Sequence, residues 1–293
     1  MQSNFIFPYL EHNFSTYLHK NKITDQGKEL FQQVIYDYFQ KNGRIFAWRQ
    51  TNNPYYIVVS EIMLQQTQTD RVKEKYELFI QTFPTIESLA VASFEKVISA
   101  WQGLGYNRRA LALHKFAQAI YHQSSSIIPN DPKLLQTYKG IGPNTASSIC
   151  AFAFNNPTVF IETNIRAVFI HCFFNHTINI KDSEILPLIE QTLDYDNPCK
   201  WYYALMDYGV LLKKIYKNPS KKSAHYTVQS KFEGSDRQIR GLILKVLIKY
   251  RSLDADEIIA YCQKDKNRVK KQLEKLINEE FIILQNNSYF LNH

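Results

Sequence analysis

Two carboxylates in this chain have neighbours that suit chemistry better than solubility. Glu61 lies in Ser60-Glu61-Ile-Met-Leu-Gln65-Gln66-Thr-Gln68, preceded by Ile57, Val58 and Val59. A glutamate in so apolar a helical stretch is expected to be partly buried, and burial raises a carboxyl pKa until the group can donate a proton near neutral pH. The glutamines at 65, 66 and 68 suit either hydrogen bonding to bases or a solvated helix face. Glu162 stands in Glu162-Thr163-Asn164-Ile-Arg166, between apolar Val159–Ile161 and the helical spacing of Ile165, Val168, Phe169 and Cys172. It reads either as a functional carboxylate at a helix entry or as part of that helix's cap, for which Thr163 is the better residue type. Between them lies Gly140-Ile-Gly142-Pro143, with Pro143 suited to the first position of a new helix. Two glycines permit a tight turn, and amides at the following helix N-terminus can bind a phosphate; a plain inter-helix turn is the alternative.

These groups need a scaffold, and from residue 26 to 212 the periodicity is helical. Leu30, Phe31, Val34, Ile35 and Tyr38 form one apolar face of a helix that starts at Asp25-Gln-Gly-Lys-Glu29, with Asp25 as its cap, and ends at Asn42-Gly43. Asn53-Pro54 precedes a run from Tyr55 to about Phe79, Pro84-Thr85 opens a segment reaching Ser99, and Ala110 to Tyr121 resumes after Gln102-Gly-Leu-Gly105. Short helices with Gly and Pro punctuation predict an all-α body without internal repeats.

The 293 residues are 45% hydrophobic and 14% aromatic, enough for a buried core, which excludes disorder as the main state. No apolar run reaches membrane-span length and Met1–Tyr9 carries no signal pattern, so a cytoplasmic chain is expected. Residues 1–210 hold 18 basic and 18 acidic side chains, residues 211–293 hold 17 and 9, and the whole +8 therefore lies in the last segment. That distribution suits a polyanion, nucleic acid or an acidic membrane surface, or a basic tail that aids solubility. Cys150, Cys172, Cys199 and Cys262 have no metal-ligand spacing and read as reduced core residues.

Taken in order, the motifs resemble the helix-hairpin-helix DNA glycosylase superfamily, and within it the MutY-type adenine glycosylases. The carriers are Phe46-Ala-Trp48-Arg49, Pro54-Tyr55, the Ser60–Gln68 block, Phe83-Pro84-Thr85 and Trp101-Gln-Gly-Leu-Gly-Tyr106-Asn-Arg-Arg109. Gly140-Ile-Gly142, Glu162-Thr-Asn164-Ile-Arg166 and Ala204-Leu-Met-Asp207-Tyr-Gly209 complete them. The resemblance implies two helical subdomains with a cleft, a base flipped out of double-stranded DNA, and a nucleoid-associated protein if the source is bacterial. It implies Glu61 as the acid that protonates the purine, Glu162 as the stabiliser of the sugar cation, and Asn164 as its support. DNA contacts would fall to Gln65 or Gln66, to Tyr106, to the hairpin at Gly140, Gly142, Asn144 and Thr145, and to Arg166.

Three departures refine this. The family's aspartate in Asp-Gly-Asn is here Glu162 in Glu-Thr-Asn, which predicts a pocket suited to a glutamate, excision of another base with Asn144 and Asn107 reshaping the site, or binding without excision. Lyase-type relatives resembling endonuclease III carry a lysine where Asn144 stands, so a monofunctional hydrolase is expected. The cysteines of an iron–sulfur cluster are missing from residues 210–234, so no cofactor and no metal site are expected. In their place Lys213, Lys214, Lys221 and Lys222 offer phosphate contacts or a solvated loop.

The resemblance is not expected to extend to the β-rich Nudix-like domain that MutY-type enzymes usually append. Helical patterns from Ser235, Asp256 and Asn267, then Phe281–Leu284 and Tyr289–Leu291 around Asn286-Asn287, predict a winged-helix-like domain facing DNA or a protein partner. The expected organisation is an N-terminal extension (1–25), a glycosylase domain (26–212), a basic loop (213–234) and the winged-helix-like domain (235–293), as a monomer.

Overall fold

The computed structural model describes residues 13–174 and 177–292; residues 1–12 of the expected extension lie outside the described residues. Along the chain, a hairpin of β1 (Leu18–His19) and β2 (Lys22–Ile23) precedes α1 (Asp25–Asn42). Then follow α2 (Pro54–Leu64), α3 (Thr69–Thr82), α4 (Ile86–Ala90), α5 (Phe94–Ala100), α6 (Arg108–Gln123) and α7 (Pro132–Leu135). Next come α8 (Pro143–Phe154), α9 (Thr163–Phe173), α10 (Asp182–Thr192) and α11 (Pro198–Ile215). The chain closes with α12 (Asp236–Tyr250), β3 (Ser252–Leu253), α13 (Ala255–Cys262), α14 (Lys266–Asn278), β4 (Ile282–Gln285) and β5 (Ser288–Leu291). The fold is mostly helical, with short strands at both ends of the described chain.

Local chemistry sets the boundaries. Thr24, not Asp25, caps α1, because Thr24 is extended and its hydroxyl accepts from the Gly27 amide, while Asp25 is already helical and faces the dipole. The single run expected from Tyr55 to Phe79 is two helices: Gln66 turns to φ +54 and Gln68 is extended ahead of α3. The segment expected from Pro84 to Ser99 also divides, with Thr85 capping α4 and Ser93 capping α5. In the C-terminal hairpin, Asn286 and Asn287 adopt φ +48 and +64, the left-handed pair that a two-residue turn between β4 and β5 requires.

The described chain divides into two compact units. The first joins the described residues up to Asn52 with Pro143–Val228. At its core Phe31 of α1 meets Phe14, Phe169, Phe173 and Trp201 edge-on or tilted, with centroids 5.1–5.8 Å apart for Phe31 against Phe169, Phe173 and Trp201. Asp207 of α11 is buried, yet it accepts from the Arg44 amide and from the side chains of Arg44 and Arg49 at 2.7–2.9 Å. Two guanidinium groups thus repay the desolvation of one carboxylate.

The second unit joins Asn53–Gly142 with Gln229 onward. Phe79, Phe83 and Trp101 pack its first part. Its C-terminal part has the order α12, β3, α13, α14, β4, β5, with the strands paired antiparallel as β3-β5-β4. This part packs against the first part of the unit. Phe281 meets Phe94 edge-on at 5.6 Å, and Glu279 takes forked contacts from both Arg108 of α6 and Arg240 of α12. Those two arginines hold the Glu279 carboxyl down at about 2. In the first unit, α11 runs on to Ile215 and the next turn is pinned by the Ile180–Ser223 bridge.

Candidate active site

In the first unit, Glu162 is the N-cap of α9. Its Oε1 accepts from the Asn164 and Ile165 amides at 2.7 and 2.8 Å, and its Oε2 accepts from Asn164 Nδ2 at 3.1 Å. The capping role that favoured Thr163 therefore belongs to Glu162. The reason is backbone: Glu162 is extended at φ −124, ψ 173, and Thr163 is already the first helical residue. The carboxylate thus takes the N2 and N3 amides of α9, the donors that an N-cap side chain satisfies. Donors and the positive end of the helix dipole surround it, an environment for an anion.

Asn164 is itself oriented. Lys213 Nζ donates to Asn164 Oδ1 and to Thr163 Oγ1, both at 2.9 Å. An ammonium cannot accept, so it selects the amide orientation that turns Nδ2 toward Glu162. Burial lowers the Lys213 pKa, and the Glu162 charge pulls it back up. Gly209 of α11 completes the arrangement: a Cβ there would lie 2.3 Å from the Asn164 carbonyl oxygen, so only glycine permits this approach of α11 to α9. Asn144 accepts from the Ile161 amide through Oδ1, fixing the strand that leads to Glu162. Arg166 is forked onto Asp182 at 2.7–2.8 Å. Ser220 donates to the Thr163 carbonyl, tying the following turn to the same place. Lys214 and Lys221 are exposed, and Lys222 is half-buried.

In the second unit, Glu61 lies half-buried in α2 among buried Val58, Val59, Ile62 and Met63. The end of α2 is held by Arg109, a residue without an assigned role in the sequence reading. Its buried guanidinium donates to the Ile62, Met63, Gln65, Leu104 and Gly105 carbonyls and to Thr67 Oγ1. Burial pulls its pKa down to about 10. A cation opposite terminal carbonyls complements the negative end of the helix. The glutamines then part: Gln65 donates to the Gly140 carbonyl, while Gln66 is exposed at positive φ. Gly140 has φ +93 and its missing Cβ would lie 2.6 Å from Ala112, whereas a Cβ on Gly142 would meet nothing. Pro143, Asn144 and Gly142 are exposed at the start of α8, and Thr145 is half-buried. Tyr106, at φ +47, turns its hydroxyl to Gln229 and Arg237 of its own unit.

The donor chemistry does not fit an iron–sulfur cluster, which needs four thiolates. Cys150, Cys172 and Cys262 are buried, burial pushes the Cys172 thiol up, and no group of three or more metal-ligating side chains occurs among the described residues. Among those residues, no helix is long and apolar enough to cross a membrane.

Residues 59–191 match the family described as HhH-GPD superfamily base excision DNA repair protein. The chain is 34% identical over 188 residues to an adenine DNA glycosylase of Buchnera aphidicola subsp. Baizongia pistaciae, covering 62% of this chain and 53% of that protein. It is 29% identical over 231 residues to the adenine DNA glycosylase of Mycolicibacterium smegmatis, covering 73% and 78%. The first of these relatives is thus spanned over about half its length. A solved thermostable thymine-DNA glycosylase shares the fold with a TM-score of 0.57 at 21% identity, over 67% of this chain and 91% of that one. The hairpin glycines, Glu61 and the capped Glu162 all fall within residues 59–191, the segment that is similar to the HhH-GPD base excision DNA repair superfamily.

Proposed function

We propose that this chain is a monofunctional DNA N-glycosylase that excises a flipped base, adenine in a mispair, from duplex DNA. The observation that carries the reading is Glu162, whose carboxylate oxygens accept from two amides and Asn164 Nδ2 at the head of α9. A fixed anion stabilises an oxocarbenium-like sugar as the glycosidic bond breaks. Glu61, in its apolar helix, supplies the proton that lets the purine leave neutral. Water then adds to the sugar carbon and gives its proton to the Glu61 carboxylate, which restores the acid.

Asn144 supports hydrolysis over lyase chemistry. Its Oδ1 accepts a backbone N–H, a task that a lysine ammonium, with no acceptor, could not perform. Phosphate is gripped by the amides at Gly140–Thr145, with Gln66 beside the vacated base and Lys214, Lys221 and Lys222 as further contacts. Gln65 serves by joining α2 to the hairpin. The C-terminal segment is a winged-helix-like module, and the protein works as a cytoplasmic monomer without a cofactor.

The reading is tested on duplexes with A opposite 8-oxoguanine, A opposite G, and uracil, mismatched thymine or hypoxanthine, followed by alkali. Strand breaks at A are expected, and their absence on every duplex would refute the enzyme. Glu162→Gln separates catalysis from lesion binding alone, because product should vanish while binding to damaged duplex persists.

A further inference from the structure

Within the second unit, the Gln66–Gln68 turn, the Gly103–Arg109 turn, α12 and α14 line a cavity of about 1050 Å³. It starts where α2, the helix bearing Glu61, ends. Arg71, Arg108, Arg237, Arg240, Lys245 and Lys275 face it, with Asp236 as the one carboxylate among the described lining residues.

These cations differ in what already cancels them. Arg108 and Arg240 share Glu279. Arg237 donates to the Tyr106 hydroxyl and the Ser230 carbonyl, neutral acceptors that leave its charge standing. Arg71 and Lys245 are exposed and form no ion pair among the described residues. A concave wall of one sign focuses potential and draws a polyanion. The wall also holds an aromatic ring, since Tyr106 lies beneath the Arg109 and Arg237 guanidinium groups at 5.3 and 5.1 Å. Gln66 and Gln68 are also among its lining residues. A basic groove with an aromatic wall and amide edges suits one strand of nucleic acid, phosphates along the cations and bases toward the ring.

We propose that this groove is a second DNA site, which takes the phosphates of one strand beside the extruded base and which the C-terminal segment completes; the assignment rests on the reading of the chain as a DNA glycosylase. Arg237, Lys245 and Lys275 place part of the basic surplus found after residue 210 on this wall.

The test is fluorescence anisotropy of the full chain on a duplex with an uncleavable adenosine analogue opposite 8-oxoguanine, across a salt series. Arg71→Glu with Lys245→Glu is expected to weaken binding at least about tenfold and to flatten the slope of log K against log salt by about 2, the loss of two phosphate contacts. Arg71→Gln with Lys245→Gln should move both readouts the same way by less, and serves if charge reversal impairs folding. Lys22→Glu with Lys41→Glu, exposed positions in the other unit, makes the same change in net charge. Unchanged affinity and slope in the groove variants, or an equal loss in the control pair, would overturn the proposal. The excision reading fails separately: if wild type never yields abasic DNA but the groove variants still lose binding, the groove stands and the enzyme does not.

Discussion

The two units treat their carboxylates in opposite ways. Glu162 stands at the start of a helix, where amides, Asn164 and, one bond further, Lys213 all donate toward it. Glu61 stands near the end of a helix, next to buried aliphatic side chains, and Arg109, the cation that holds this helix end, is turned onto backbone carbonyls. One surrounding is rich in hydrogen-bond donors; the other is flanked by buried aliphatic side chains. Breaking a glycosidic bond needs both, a proton for the departing base and a standing negative charge for the sugar. Placing them at opposite helix ends keeps their environments distinct.

The largest break in this comparison is Glu61→Gln, which keeps shape but holds no transferable proton. Single-turnover excision should fall by roughly 10²–10⁴-fold with duplex affinity retained. A smaller loss would mean that the proton comes from elsewhere. Glu162→Gln comes next, because the amide still caps α9 through its oxygen while the charge is gone. Excision should drop on the order of 10²–10³-fold, with melting temperature little changed. Substituting Arg109 by lysine tests the support rather than the chemistry. An ammonium cannot span six acceptors, and carbonyls left unsatisfied should cost roughly 2–3 kcal/mol, read as a lower denaturant midpoint. If Arg109→Lys keeps both stability and excision, α2 does not depend on that cap.

How much of this was legible beforehand follows a physical line. Motifs carried by adjacent residues were readable: the hairpin glycines, the Glu61 helix, the Asn286-Asn287 turn. What joins residues distant in the chain was not. Asp207 with Arg44 and Arg49, Gly209 against Asn164, and Arg108 with Glu279 each bring together sites more than 40 positions apart. For that reason the sequence pattern alone carries no sign that the C-terminal segment shares a compact unit with residues 53–142. The inverted cap at Glu162 and Thr163 is a one-residue matter. Side-chain preference favours Thr, but the turn of the backbone from extended to helical falls between them, and composition carries no signal of that.

Lys213 gives the smallest and most discriminating effect. If it only fastens α11 to α9, Lys213→Met lowers stability and leaves the pH profile of excision unchanged. If it orients Asn164, loss of the ammonium lets the amide reverse, so that an oxygen faces the Glu162 carboxylate and repels it. Excision should then fall about tenfold, equivalent to roughly 1.4 kcal/mol at the transition state. The sign of the pH dependence separates the two. Burial disfavours the charged amine and lowers its pKa, so the wild-type ammonium discharges at lower pH than an ordinary lysine, and excision should decline as pH rises through that point. Lys213→Arg keeps its charge and should retain activity through the same range, while Lys213→Met should be low and flat. A wild-type profile that matches Lys213→Arg on the alkaline side would leave Lys213 a fastener, with Glu162 relying on its two amides alone.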